Sequence, residues 1–192
     1  PKKVIVFSRD EAKQHEMRMD YLHRAVTTDE VIFNNFKNVL EFRIGDVRDY
    51  ADVCAAVRDV DIVVNAAALK QVPTCEYFPD QAVFTNVAGA VNIVRVIAEH
   101  DLPVHTVVGV STDKACKPVN VMGMSKAIQE RVFISGNIRR PKTRFLCVRY
   151  NQAAPVSQRT HIGGQRRDDR QRFSREGMRQ RDAPGEQCLA GD

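Results

Sequence analysis

Ser111-Thr112-Asp113-Lys114 puts hydroxyls, a carboxylic acid and an amine on consecutive residues, directly after an apolar run. An acid and an amine side by side can divide proton transfer between them, and a neighbouring hydroxyl can hydrogen-bond an oxygen whose charge changes. Further on, Met122 and Lys126 stand four apart and share one helical face. Ligands of open α/β sheets sit beyond the carboxyl ends of the strands, so this cluster falls where chemistry is expected. A helix cap or a salt bridge would use the same residue types.

Three other segments could hold a ligand. Ser8, Arg9 and Lys13 would offer a hydroxyl and two cations to a phosphate, and an arginine at the end of the second strand of a dinucleotide fold accommodates the 2′-phosphate of NADP. The same residues also read as a solvated helix start capped by Asp10. Asp46, in Gly45-Asp46-Val47-Arg48-Asp49, can accept from an adenine amino group while Val47 packs on the ring, or it can simply cap a helix after a turn. Ala66, Ala67 and Ala68 are small enough for a ligand to reach the backbone, and equally suited to tight packing of a helix on a sheet.

The elements needed to position these residues follow from the apolar pattern. Val4 to Phe7 reads as a buried strand, followed by a charged helix from Glu11 to Ala25. Val39–Ile44 and Asp61–Ala67 read as strands flanking a short helix, Tyr50–Arg58. Val83, Val87, Val91, Val94 and Ala98 repeat at helical spacing within residues 80–99. Val104–Val110, Met124–Ile138 and Arg144–Val148 continue as strand, helix and strand. This alternation is that of an α/β, Rossmann-like parallel sheet with flanking helices. Residues 1–150 form the expected domain. Residues 151–192, rich in Arg, Gln and Gly and poor in large apolar groups, bury too little to offset their ordering and are expected to be a disordered or irregular tail.

The chain has 192 residues, 43% of them hydrophobic, which suffices for one domain with a core. Its +5 charge comes without a recognition motif or an aromatic-interleaved basic patch, so nucleic acid is not expected as a partner. Five scattered cysteines and five scattered histidines suggest neither disulfides nor a metal. The absence of a long uncharged apolar run argues against a membrane span and for a cytoplasmic protein.

Ser111 to Ala115 (STDKA) and Pro118 to Ala127 (PVNVMGMSKA) recur with SRDE at 8–11, GDVRD at 45–49, NAAALKQVP at 65–73, Glu76 and Thr85-Asn86-Val87-x-Gly89. Together they resemble the inverting UDP-N-acetylglucosamine 4,6-dehydratases and related capsular polysaccharide dehydratases, which are extended short-chain dehydrogenases/reductases. The resemblance covers residues 1 to about 150 in order. It implies NADP as cofactor, with Ser8, Arg9 and Lys13 at the 2′-phosphate, Asp46 and Val47 at the adenine, and Ala66 to Ala68 along the dinucleotide. Lys126 would bind the nicotinamide ribose, and Lys70, Glu76 and Asn86 would lie on the side of a UDP-sugar. The reaction it implies oxidises C4, eliminates water across C5 and C6, returns the hydride to C6 and reprotonates C5 on the opposite face. Thr112 would hold the C4 oxygen, Asp113 would protonate the departing C6 hydroxyl, and neutral Lys114 would remove the C5 proton.

Three departures qualify the resemblance. Met122 stands where most relatives have the tyrosine of a YxxxK motif, and a thioether is no base. A glycine-rich first strand and turn are absent, and after Arg149-Tyr150-Asn151 the sequence leaves the family's pattern. The chain therefore reads as truncated at both ends and inactive as it stands, its full-length form a homo-oligomer. An epimerase or reductase of the same superfamily, or a non-catalytic Rossmann-like binding fragment, are the alternatives.

Overall fold

The computed structural model describes residues 2–27, 39–150 and 160–163, with the backbone alone for 22–27 and 160–163. β1 (Val4–Ser8) leads into α1 (Glu11–Thr27), and β2 (Leu40–Ile44) into α2 (Tyr50–Val57). β3 (Ile62–Asn65) is followed by α3 (Val72–Tyr77), α4 (Pro79–Ala82), a π-helical stretch (Val83–Ala88) and α5 (Gly89–Glu99). β4 (Thr106–Thr112) passes through a 3-10 turn (Asp113–Ala115) to α6 (Val121–Arg139), β5 (Arg144–Tyr150) and β6 (Thr160–Gly163). The expected α/β alternation of parallel strands and flanking helices holds across residues 1–150. Of the expected irregular tail, 151–159 and 164–192 lie outside the described residues, and Thr160–Gly163 is a strand instead.

The strands form two sheets. β1 pairs with β2 in parallel, Val4 opposite Leu40 through Ser8 opposite Ile44. The second sheet has the order β3-β4-β5-β6. The β3–β4 and β4–β5 ladders are parallel, with Ile62 opposite Thr106, and Thr106 opposite Arg144 through Thr112 opposite Tyr150. Among the described residues β1 and β3 each keep one edge without a partner strand, and on β3 Ile62 and Val64 are each 62% exposed.

The core lies over the second sheet. Ala90, Ile93, Val94, Val96 and Ile97 of α5 are buried against Val107, Phe145 and Cys147 of the sheet, Val53 and Val57 of α2, and Phe133 of α6. Burying each large apolar side chain contributes about 1.5–3 kcal/mol, so α5 anchors the domain. Gly109 in β4 is required for this packing, because a Cβ there would come within 2.5 Å of the Phe133 ring. The whole run Pro79–Glu99 is long and apolar enough to cross a membrane by length and composition. Its burial against α2, α6 and the sheet gives that apolarity a core function.

Candidate active site

The C-terminal end of β4 delivers its side chains through a single tight turn. Thr112 has extended backbone and caps the 3-10 turn, its Oγ1 accepting from the Lys114 amide at 3.4 Å. The same hydroxyl donates to Asp113 Oδ1 at 2.8 Å. Lys114 Nζ lies 3.7 Å from that carboxylate oxygen, and both side chains are about one third exposed, at 36% and 37%. The three expected residues thus form one contiguous hydroxyl–carboxylate–ammonium group open to solvent. The Thr112 hydrogen bond, outweighing partial desolvation, holds Asp113 below the usual carboxylate range, with Lys114 acting in the same direction. Asp113 is therefore ionised at rest.

α6 is fixed against this turn at its first residues. Asn120 caps it by accepting from the Gly123 amide at 2.8 Å, and Glu76 Oε1 accepts from the Val121 amide at 2.8 Å. Gly123 makes the close approach possible, since a Cβ there would lie 2.6 Å from the Lys114 carbonyl oxygen. One turn on, Lys126 is buried, and its Nζ donates to the Val110 carbonyl and to Gln129 Oε1, both at 2.7 Å. Burial lowers its pKa from 10.5 to about 8.

Two parts of this support escaped the sequence reading. Gln129 is wholly buried, and its spacing of three from Lys126 was the available signal. Glu130, also buried, accepts from Arg149 Nε and Nη2 at 2.8 and 2.6 Å and so ties α6 to β5. Burial pushes the Glu130 carboxyl up, but the hydrogen bonds from Arg149 prevail and leave it low. Nothing local in the sequence marks that pair, which spans 19 positions.

Other expected site residues hold the scaffold. Met122 is buried with Cys75 and Ala82, packed by Leu69, Val72 and Val121, so the position of the usual tyrosine is filled apolar space. Asn86, projected from the π-helical stretch and fully buried, accepts from the Leu69 amide at 2.8 Å. Its Nδ2 donates to the Leu69 carbonyl at 3.0 Å and to Ser125 Oγ at 2.9 Å. Asn86 thereby joins the loop after β3, with Ala66 to Ala68, to α6. Lys70, at the end of that loop, is exposed.

The residues expected at a cofactor lie mainly at the end of β1. Arg9 Nη1 stands 3.4 Å from Asp46 Oδ2, and Arg48 Nη2 is 2.6 Å from the same oxygen. The Arg48 hydrogen bonds hold the Asp46 carboxyl low. Asp10 does cap α1, accepting from the Lys13 amide at 3.1 Å, and Lys13 Nζ lies 3.0 Å from it. Val47 is buried against Gly89, where a Cβ would come within 2.9 Å of it. Arg9 and Lys13 remain 55% and 80% exposed, so two cations and the Ser8 hydroxyl fit a phosphate ester. Among the described residues no glycine-rich turn offers amides to a pyrophosphate, and no group of acids, histidines and cysteines could hold a metal.

Comparison with known proteins identifies the family and the fold. A family model described as polysaccharide biosynthesis protein matches residues 1–154. A UDP-glucose 4-epimerase of Rickettsia bellii is 44% identical over 152 residues, 78% of this chain and 40% of the relative. An inverting UDP-N-acetylglucosamine 4,6-dehydratase of Campylobacter jejuni is 40% identical over 152 residues, 78% of this chain and 41% of the relative. Among solved structures, Pen from Bacillus thuringiensis superposes with a TM-score of 0.67 at 32% identity, covering 78% of this chain and 42% of that one. The chain thus spans about 40% of the length of the curated relatives it matches. With its parallel sheets and a match to residues 1–154, the chain belongs to the polysaccharide biosynthesis protein family and is extended short-chain dehydrogenase/reductase-like.

Proposed function

We propose that this chain carries the catalytic half-site of an NADP-dependent, C5-inverting 4,6-dehydratase acting on UDP-N-acetylglucosamine or a related UDP-sugar in the synthesis of bacterial surface polysaccharide. The observation that carries the reading is the contiguous Thr112–Asp113–Lys114 group beside buried Lys126. A 4,6-dehydration needs an acid for the C6 hydroxyl and a separate base for the C5 proton, and adjacent Asp113 and Lys114 supply both. Each such contribution is worth about 10²- to 10⁴-fold in rate.

Arg9, Lys13 and Ser8 would hold the 2′-phosphate and Lys126 the nicotinamide ribose. A bound oxidised nicotinamide supplies a hydride acceptor for C4. Lys126, held under the end of β4 by Val110 and Gln129, gives a fixed cation there, and Lys70, which is exposed, would face the sugar nucleotide.

Epimerisation at C4 is the second reading, favoured by the names of the Rickettsia relatives. It requires oxidation and re-reduction at C4 but neither Asp113 as an acid nor Lys114 as a base. The test is turnover of UDP-N-acetylglucosamine in deuterium oxide by the protein at the length of its relatives. The dehydratase reading expects a 4-keto-6-deoxy product deuterated at C5, with exchange lost in Lys114→Ala while NADP still binds. A C4 epimer with a protonated C5 would overturn it.

A further inference from the structure

The end of the domain away from the β4 cluster carries charge that neither the core nor the proposed reaction uses. In the β4–β5 ladder Arg144 opens β5 opposite Thr106, whereas Thr112 closes β4 opposite Tyr150. Six residues at about 3.3 Å each separate the two ends by roughly 20 Å. α6 runs back across the domain, from Gly123 against the Lys114 carbonyl to Ile138 and Arg139 at the far end.

The turn from α6 into β5 is firmly held. Asn137 Oδ1 accepts from the Phe145 amide at 2.9 Å, and its Nδ2 donates to the Phe145 carbonyl at 3.0 Å. The buried Thr143 hydroxyl donates to the Val104 carbonyl at 2.8 Å, and the Arg144 amide donates to the His105 carbonyl at 2.8 Å. On this frame Arg139, Lys142 and Arg144 are exposed, and none of the three has an ion pair among the described residues. Arg140 is paired with Asp101. Ile138, on the last turn of α6, is 78% exposed. Cations favour the negative pole of a helix, which would account for Arg139 and Arg140. Lys142 and Arg144 lie beyond the helix, and a solvated cap has no use for an exposed isoleucine.

Independently of the dehydratase reading, we propose that this end of the domain is a docking surface for an anionic lipid bilayer. Arg139, Lys142 and Arg144 meet the headgroup phosphates, and Ile138 enters the interfacial layer. The apolar side chain selects a bilayer over a soluble polyanion, because a bilayer interface takes up both aliphatic groups and cations. Residues 138–144 also contain no aromatic side chain on which nucleic-acid bases could stack. Docked in this way, the chain presents the carboxyl end of β4 to solution, where solutes still reach it.

Co-sedimentation of the 192-residue chain with vesicles tests the proposal. Vesicles of phosphatidylglycerol and phosphatidylcholine in equal parts should bring the chain down, and vesicles of phosphatidylcholine alone should leave it in solution. Binding should fall steeply between about 0.1 M and 1 M salt, as the screening length shrinks from about 10 Å to about 3 Å. Each cation near an anionic surface is worth about fivefold in affinity, the factor that corresponds to roughly 1 kcal/mol. Arg139→Gln, Lys142→Gln and Arg144→Gln together should therefore weaken binding about 100-fold. These side chains are exposed, so that loss should come without a loss of thermal stability. Ile138→Ser should weaken vesicle binding severalfold with the charge unchanged. A control removes the same charge elsewhere: Arg166→Gln, Arg167→Gln and Arg170→Gln, all outside the described residues, should leave most of the binding in place. Failure to bind the anionic vesicles, or equal losses in the two triple variants, would overturn the proposal. So would undiminished binding by Ile138→Ser, because the patch would then be a site for polyanions in general.

Discussion

The carboxyl ends of β4 and β1 both gather charged residues, yet they are held in different ways. At β4 the supporting groups are buried: Lys126 on the Val110 carbonyl, Gln129 beside it, and Glu130 paired with Arg149. The helix that carries them is pinned by Asn120, Glu76 and Asn86. At β1 the pairs are Arg9–Asp46, Arg48–Asp46 and Lys13–Asp10, on side chains that keep substantial exposure. Exposed ion pairs contribute about 0–1 kcal/mol each, whereas leaving a buried polar group without its partner costs about 1–3 kcal/mol, more for a charged one. The fold therefore fixes the β4 cluster in advance, and on the proposed reading the exposed cations at β1 would exchange their carboxylate partners for a phosphate.

The strongest way to break this contrast is to remove core from one half and compare the other. Phe133→Ala, beneath Gly109 and beside Phe145, should lower stability by about 3–5 kcal/mol. Ile44→Ala on the two-stranded sheet, where the side chain is 65% exposed, should change it by no more than about 0.5 kcal/mol. Urea unfolding of the two variants measures both, and equal losses would erase the distinction.

A second prediction sharpens it through pH. Lys126 titrates near 10.5 when unfolded and about 8 when folded, so between those values the unfolded chain binds more protons and stability rises with pH. The stability so gained is fully present above 10.5 and is lost as pH falls through 8, a swing of about 3 kcal/mol. Cys147, raised to about 12 by burial, acts in the opposite direction above pH 9, which leaves pH 8 to 9 as the cleanest window. Lys126→Met should flatten the rise there, and an undiminished slope would assign it to another group. The smallest effect belongs to the exposed half. Arg9→Ala should weaken NADP roughly 10- to 100-fold while leaving NAD nearly unchanged by calorimetry, and equal losses would remove Arg9 from the 2′-phosphate.

Much of the fold was legible because apolar periodicity is local. The β4 strand, the helices over 79–99 and 121–139, and the place of Ser111 to Lys114 at a strand end all follow from residues within a few positions of one another. What stayed hidden depends on distant partners. Met122, Glu76 and Asn86 carry the spacing of site residues, but only the folded chain shows Met122 in an apolar cluster, Glu76 on the Val121 amide and Asn86 bonded to Leu69 and Ser125. Arg149 lies just beyond the expected strand Arg144–Val148, and only the folded chain brings Glu130 beside it. The short helix Val72–Tyr77 has no counterpart among the elements expected from the sequence; its Pro73 lies in the first turn, where proline is well accommodated.

The central claim, that the β4 cluster carries out a 4,6-dehydration, is tested most directly with UDP-N-acetylglucosamine deuterated at C4 and the protein at the length of its relatives. The account predicts that the label leaves C4 as hydride and is found at C6 of a 4-keto-6-deoxy sugar. Label returned to C4 of an epimerised sugar, with C6 still hydroxylated, would contradict it.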